Sequence, residues 1–256
     1  MALIFDTHAH YDDEAFDADR GALLASLPDS GVGWIVDPGC DLGSSRAAVA
    51  LAERFPHVYA AVGYHPENCA PFVPEDIETL RALARHPKVV AVGEIGLDYH
   101  WAENPPKERQ QDVLRRQLAL AVELDLPVIF HDRDAHADCF SIVCEFPALR
   151  GVFHCYSGSV ELARELWMRG WYVGFDGPLT YKNARKTVEV AREAPPDRIL
   201  IETDAPYLAP VPLRGTRNDS RNLVHVAQKL AEIRGMSVED VIALTAENGK
   251  RLFGIE

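Results

Sequence analysis

Short apolar runs rich in β-branched residues alternate with longer stretches of helical period along the whole chain. The runs predict strands at Leu3–Asp6, Trp34–Asp37, Val58–Val62, Val89–Gly93, Pro127–Phe130, Gly151–Phe153, Trp171–Phe175 and Ile199–Glu202. The clearest helix between them runs from about Glu108 to Leu124, with Leu114, Leu118, Ala121 and Val122 on one face. A later helix begins at Ser237, whose hydroxyl can cap it, with Asp240 three residues on as in a capping box. Eight strands alternating with helices predict an α/β fold, a parallel sheet closed into a (β/α)8 TIM barrel. An open doubly wound sheet is the alternative, but no Gly-x-Gly-x-x-Gly turn follows the first strand. With no linker, low-complexity tract or charge block, one domain over residues 1–256 is expected.

Polar residues keep the same rhythm. At or just past successive strand ends stand His10, Asp37, His65, Glu94, His131, His154, Asp176 and Asp204, recurring roughly every 28 residues. In a barrel these positions face one mouth, the C-terminal rim where barrel chemistry is carried out. His8 and His10 add a second signal, because residues two apart on a strand project to the same side. A single strand-end histidine is ordinarily a hydrogen-bonded structural residue; the joint pattern is what carries information.

His8, His10, Glu94, His131, His154 and Asp204 make a mixed nitrogen and oxygen donor set. Such a set suits Zn²⁺, Mn²⁺ or Co²⁺, with Mg²⁺ or Ni²⁺ as further options. Six donors exceed what one catalytic ion with an open position uses. They suit two divalent ions sharing a carboxylate, with Glu94 as the bridge and Asp204 as ligand and proton acceptor. Two-ion sites of this kind activate a water and polarise a scissile oxygen.

Bulk properties narrow the partners. The formal net charge of −13 excludes a protein that coats nucleic acid through a broad basic face, but not an enzyme acting on a strand end. Hydrophobic residues at 47% and charged residues at 25% fit a folded globular chain. No apolar run is long enough to span a bilayer and no secretory leader is visible. Five cysteines without a framework spacing fit free thiols, so a cytoplasmic location is expected. No membrane contact or obligate protein partner is implied, and a monomer is expected.

The segments Asp6-Thr7-His8-Ala9-His10, Gly63-Tyr64-His65-Pro66, Gly93-Glu94-Ile95-Gly96-Leu97-Asp98-Tyr99, His131-Asp132-Arg133, His154-Cys155-Tyr156-Ser157-Gly158 and Glu202-Thr203-Asp204-Ala205-Pro206-Tyr207 resemble the TatD family. The resemblance continues to Asn248-Gly249-Lys250-Arg251-Leu252-Phe253. That family is a branch of the amidohydrolase-like barrels, with members described as metal-dependent deoxyribonucleases, including 3′-5′ exonucleases. The resemblance implies one ion on His8, His10 and Asp204, another on His131 and His154, and Glu94 between them. It also implies that His65 and Arg133 contact the scissile phosphate. DNA, met at a strand end, is then the expected substrate.

Rim loops bear on that substrate. Lys182 follows the seventh strand, Arg214, Arg217 and Arg221 follow the eighth, and Tyr99, Trp101, Tyr156 and Tyr207 offer stacking surfaces. Tyr99, Lys182, Arg214 and Arg217 are the substrate-binding candidates. Leu213, Thr216 and Ser220 depart from the family pattern, as does Asp176, whose extra carboxylate would repel a phosphodiester unless paired or turned away. The competing readings are a metal-dependent hydrolase of another ester or amide, such as an aminoacyl-tRNA ester, lactone or cyclic amide, and a barrel kept only for binding. The second would predict lost donors, and all six are present.

Overall fold

The computed structural model describes residues 2–256. Eight strands, β1 (Ile4–Asp6), β2 (Val32–Pro38), β3 (Val58–Val62), β4 (Val89–Asp98), β5 (Val128–Arg133), β6 (Gly151–Phe153), β7 (Tyr172–Phe175) and β8 (Ile199–Ile201), pair in parallel in chain order. The seam between β8 and β1 is closed by single bonds. Asp204 N donates to His8 O (2.9 Å), His10 N donates to Ala205 O (2.7 Å), and Ala9 bridges Ala205. This is the (β/α)8 barrel that the alternation predicts.

The lumen floor is packed by Phe5, Val36, Ala61, Ala91, Ile129, Val152 and Leu200, drawn from every strand but β7. The C-terminal helix (Val238–Phe253) covers the N-terminal end, with Phe253 against Phe5 at 6.0 Å between ring centroids. Chemistry is therefore left to the opposite mouth. No helix among the described residues is long and apolar enough to cross a membrane.

Three local differences from the sequence expectation matter. The helix Lys107–Leu124 buries Leu114, Leu118 and Ala121, but Val122 is 43% exposed because one further residue turns about 100° off the stripe. Gln110 and Gln117 occupy the buried stripe instead. Gln117 exchanges hydrogen bonds with the Tyr64 backbone (2.7 and 3.1 Å), and Gln110 with the Asp98 backbone (2.8 and 2.9 Å). Both tie strand ends at the mouth. At Ser237 the hydroxyl accepts from Asp240 N (3.0 Å) as expected, while the Asp240 carboxylate accepts from that same hydroxyl (2.7 Å).

The third difference is in β4, which continues five residues past Gly93. Val92, Ile95 and Leu97 all pack on the helix-facing side, an odd spacing that alternation forbids without an extra residue. The pairing with β5 shifts between Val92 and Ile95 for that reason. The shift reverses parity, so that Glu94, Gly96 and Asp98 face the lumen.

Candidate metal centre

The two histidines of the first motif lie just past β1, one on either side of the Ala9 bridge, and their side chains turn to the same side. His8 Nε2 and His10 Nε2 stand 3.0 Å apart. Glu94 Oε2 lies 3.4 Å from each, and Asp204 Oδ1 lies 3.5 and 3.6 Å from them. The other oxygen of Glu94 faces a different set. Oε1 is 2.7 Å from His154 Nε2, 2.9 Å from His131 Nδ1 and 3.5 Å from His65 Nε2. His131 Nδ1 and His154 Nε2 are themselves 3.1 Å apart.

These separations fit metal ligation. Donors around an ion with bonds of 2.0–2.1 Å in a tetrahedron sit roughly 3.3 Å from one another, and the measured edges run from 2.7 to 3.6 Å. Several imidazole nitrogens converge on one buried carboxylate, the convergence of donors that a bound cation requires. His8 Nδ1 and His154 Nδ1 are buried and make no hydrogen bond.

Electrostatics agree with the geometry. Burial alone would raise the Glu94 carboxyl, but His154, His65 and His8 around it hold it well below its usual range. Burial lowers His8 to about 4 and His65 to about 3, so both present neutral rings at neutral pH. At Asp204 burial also pushes upward, yet His10 and His8 keep it ionised. Asp204 and Cys155 adopt left-handed backbone conformations, φ 55° and 41°, beside the centre.

Asp98 is the residue the motif spacing did not single out. Its buried carboxylate takes His131 Nε2 at 3.1 Å, and accepts from His100 N (2.9 Å) and Asn104 Nδ2 (3.0 Å). A carboxylate on the far nitrogen fixes the ring and its tautomer. Burial disfavours charge on His131, but Asp98 and Glu94 outweigh it and hold the ring up to about 10. Metal must displace that proton, so affinity rises with pH toward that value. Asp98→Asn is expected to weaken metal binding roughly 10–100-fold. It should also move the affinity plateau to lower pH, because one of the two groups that raise His131 is gone. Titrating metal into stripped protein across pH checks both.

A deeper network supports the first motif. Asp6 accepts from His8 N (3.3 Å), Thr203 N (3.0 Å), Thr203 Oγ1 (2.7 Å) and Ser220 Oγ (2.6 Å). Ser220 N also donates to the Tyr11 hydroxyl at 3.0 Å. Proline at this position could make neither Ser220 bond, so the departure at Ser220 is a structural one. Asp176, the other departure, is 2% exposed and does not line the cavity. Burial first, then the neighbouring Glu202, pushes its carboxyl well up, which favours the neutral form.

The mouth opens into a cavity of about 820 Å³, lined by His10, Glu94, His131, Arg133, His154 and Asp204 among others. His65 lines it too, packed against His131 with ring centroids 4.4 Å apart. Arg133 stands exposed at the wall, 5.2 Å from the Trp101 ring centre. Tyr99, Lys182, Arg214 and Arg217 are not brought to this wall. The Tyr99 hydroxyl donates to Asp138 (2.8 Å), and Arg214 lies over Tyr181 at 4.4 Å. Arg217 is held by both oxygens of Asp19 at 2.7 Å, while Lys182 is simply exposed. Of the aromatics, Trp101 and Tyr207 line the cavity, whereas Tyr156 is packed in the core.

A convergent donor set inside the catalytic mouth of a (β/α)8 barrel fits the class of metal-dependent hydrolases. The chain belongs to the TatD family: the family described as TatD related DNase matches residues 5–254. It is 43% identical over 255 residues to YabD of Bacillus subtilis, named an uncharacterized metal-dependent hydrolase, covering 99% of this chain and 100% of that one. To a protein of Cronobacter sakazakii named the 3′-5′ ssDNA/RNA exonuclease TatD it is 36% identical, covering 98% of this chain and 97% of that one. The crystal structure of the TatD homologue YJJV from Escherichia coli superposes with a TM-score of 0.93 at 34% identity, over 99% of this chain and 98% of that one.

Proposed function

We propose that the enzyme is a deoxyribonuclease of the 3′-5′ exonuclease kind, hydrolysing phosphodiesters at a strand end with two divalent ions. The observation that carries it is the split of Glu94, with Oε2 toward His8, His10 and Asp204 and Oε1 toward His131, His154 and His65. A carboxylate so placed would hold two ions together. Bound there, the ions supply an activated water and draw charge from the phosphoryl oxygens. Asp204, ionised and lining the cavity, accepts the proton of the attacking water. Neutral His65 donates a hydrogen bond or serves as a further ligand, since its Nε2 lies as near Glu94 as those of His8 and His10. Arg133 orients the phosphate from the wall.

Support for nucleic acid comes from the names of relatives such as that of Cronobacter sakazakii. One observation favours the second reading, a non-DNA ester or amide. Apart from histidines, Arg133 is the one basic side chain among the lining residues, beside Asp12, Asp13, Glu67, Asp98 and Asp132. A compact substrate, or a strand end, suits that wall better than an extended duplex.

Hydrolysis of end-labelled single-stranded DNA by stripped protein, restored with Mg²⁺, Mn²⁺ or Zn²⁺ in turn, separates the two. A metal-dependent ladder from the 3′ end is expected. No cleavage in metal-loaded protein would move the substrate to the second reading. Arg133→Ala is expected to raise KM for the DNA roughly tenfold, the loss of one charge-assisted hydrogen bond, with kcat less affected. Unchanged KM would remove Arg133 from phosphate binding.

A further inference from the structure

Asp37, near the end of β2, is fully buried; no backbone, amide, hydroxyl or guanidinium donor reaches either of its carboxylate oxygens, and the Asp12 carboxyl lies against it. Asp12 lies beside it on the loop after β1, part-buried and lining the cavity. One carboxylate oxygen from each, with a ring nitrogen of His10, lie within 4.8 Å of one another. The neighbouring Arg20 does not bond Asp37. Its guanidinium donates to the backbone oxygens of Tyr11 (2.6 Å), Asp12 (3.0 Å) and Asp13 (2.9 Å). A buried carboxylate without a donor is costly, and a second carboxylate beside it makes a bound cation the natural partner.

We propose that Asp12 and Asp37 hold a further divalent cation of the oxygen-preferring kind, such as Mg²⁺ or Mn²⁺, at the cavity wall. This site is distinct from the donors around Glu94. His10 Nε2 is already committed there, 3.4 Å from Glu94 and 3.6 Å from Asp204. Two carboxylates with waters completing the shell are the usual provision for such an ion. An ion at this wall adds positive charge where Arg133 stands almost alone among acids, and so makes the mouth acceptable to an anionic substrate. The pair thus gives an acidic barrel an ion-dependent way to admit phosphate.

The test counts ions rather than turnover. Stripped full-length wild type, Asp37→Asn and Asp12→Asn are dialysed against millimolar Mn²⁺, and bound metal is measured by elemental analysis and electron paramagnetic resonance. Each variant is expected to bind one Mn²⁺ fewer than wild type and to keep the remainder. This difference does not depend on whether the Glu94 cluster takes one ion or two, or on the substrate. Equal counts would overturn the proposal and leave the pair sharing a proton. Loss of all ions would also overturn it, by making the pair part of the Glu94 centre. Thermal melting controls for folding, and Asp12→Asn, at the part-exposed edge, carries the test if Asp37→Asn does not fold.

Discussion

Glu94→Ala is expected to lower hydrolysis by at least about a thousandfold while leaving a folded barrel. The side chain makes no contact on which the strand ladder depends, whereas its backbone N–H donates to Gly39 O at 2.8 Å and is kept in the variant. What is lost is the carboxylate between two donor sets. Five imidazoles then face one another without their shared anion, and those of His8, His10, His131 and His154 stand within 3.1 Å in pairs. Both ions should bind more weakly, not only one, because each oxygen of Glu94 serves a different set. Metal counting and a melting curve accompany the assay. Full activity in metal-saturated, folded Glu94→Ala would end the bridging reading, and loss of a single ion would assign Glu94 to one side only.

The residues gathered at this candidate centre were legible because they are local signals in register with the fold. His8 and His10 announce themselves by spacing, and His65, His131, His154 and Asp204 by their place after an apolar run. The roles of their supports were not legible, because each depends on a contact between distant segments. Asp98 matters through His131, 33 positions on, and Asp6 through Thr203 and Ser220, about 200 positions on. The same blindness made Arg217 look available. Its partner Asp19 stands 198 positions earlier, and no local pattern tells a free arginine from a paired one. Tyr99 fails likewise, since its hydroxyl is satisfied by Asp138 on a neighbouring helix. Glu94 is the instructive intermediate case. Simple alternation from Ala91 turns it away from the lumen, and only the extra residue in β4 turns it inward.

That extra residue has a cost in space, and Gly96→Ala exposes it. Gly96 pairs directly with His131 across β4 and β5. A methyl group there would lie 1.9 Å from His131 O and 2.7 Å from its carbonyl carbon, both backbone atoms that no rotamer can move aside. The strands must separate at the one place where Glu94 and Asp98 on β4 meet His131 on β5. We expect a loss of about 3 kcal/mol or more, the upper range for overpacking. For a chain of this size that is roughly a 10 °C fall in melting temperature. Metal affinity should fall with it, since the 2.9 Å and 3.1 Å contacts of His131 both cross this junction. Gly31→Ala is the matched control. Its φ of +85° also disfavours a side chain, but nothing lies within 4 Å of the added carbon. It should cost only the roughly 1 kcal/mol of the backbone conformation and leave metal binding unchanged. Equal melting of the two variants would mean that backbone preference, not close approach of the two ligand-bearing strands, is what fixes glycine at position 96.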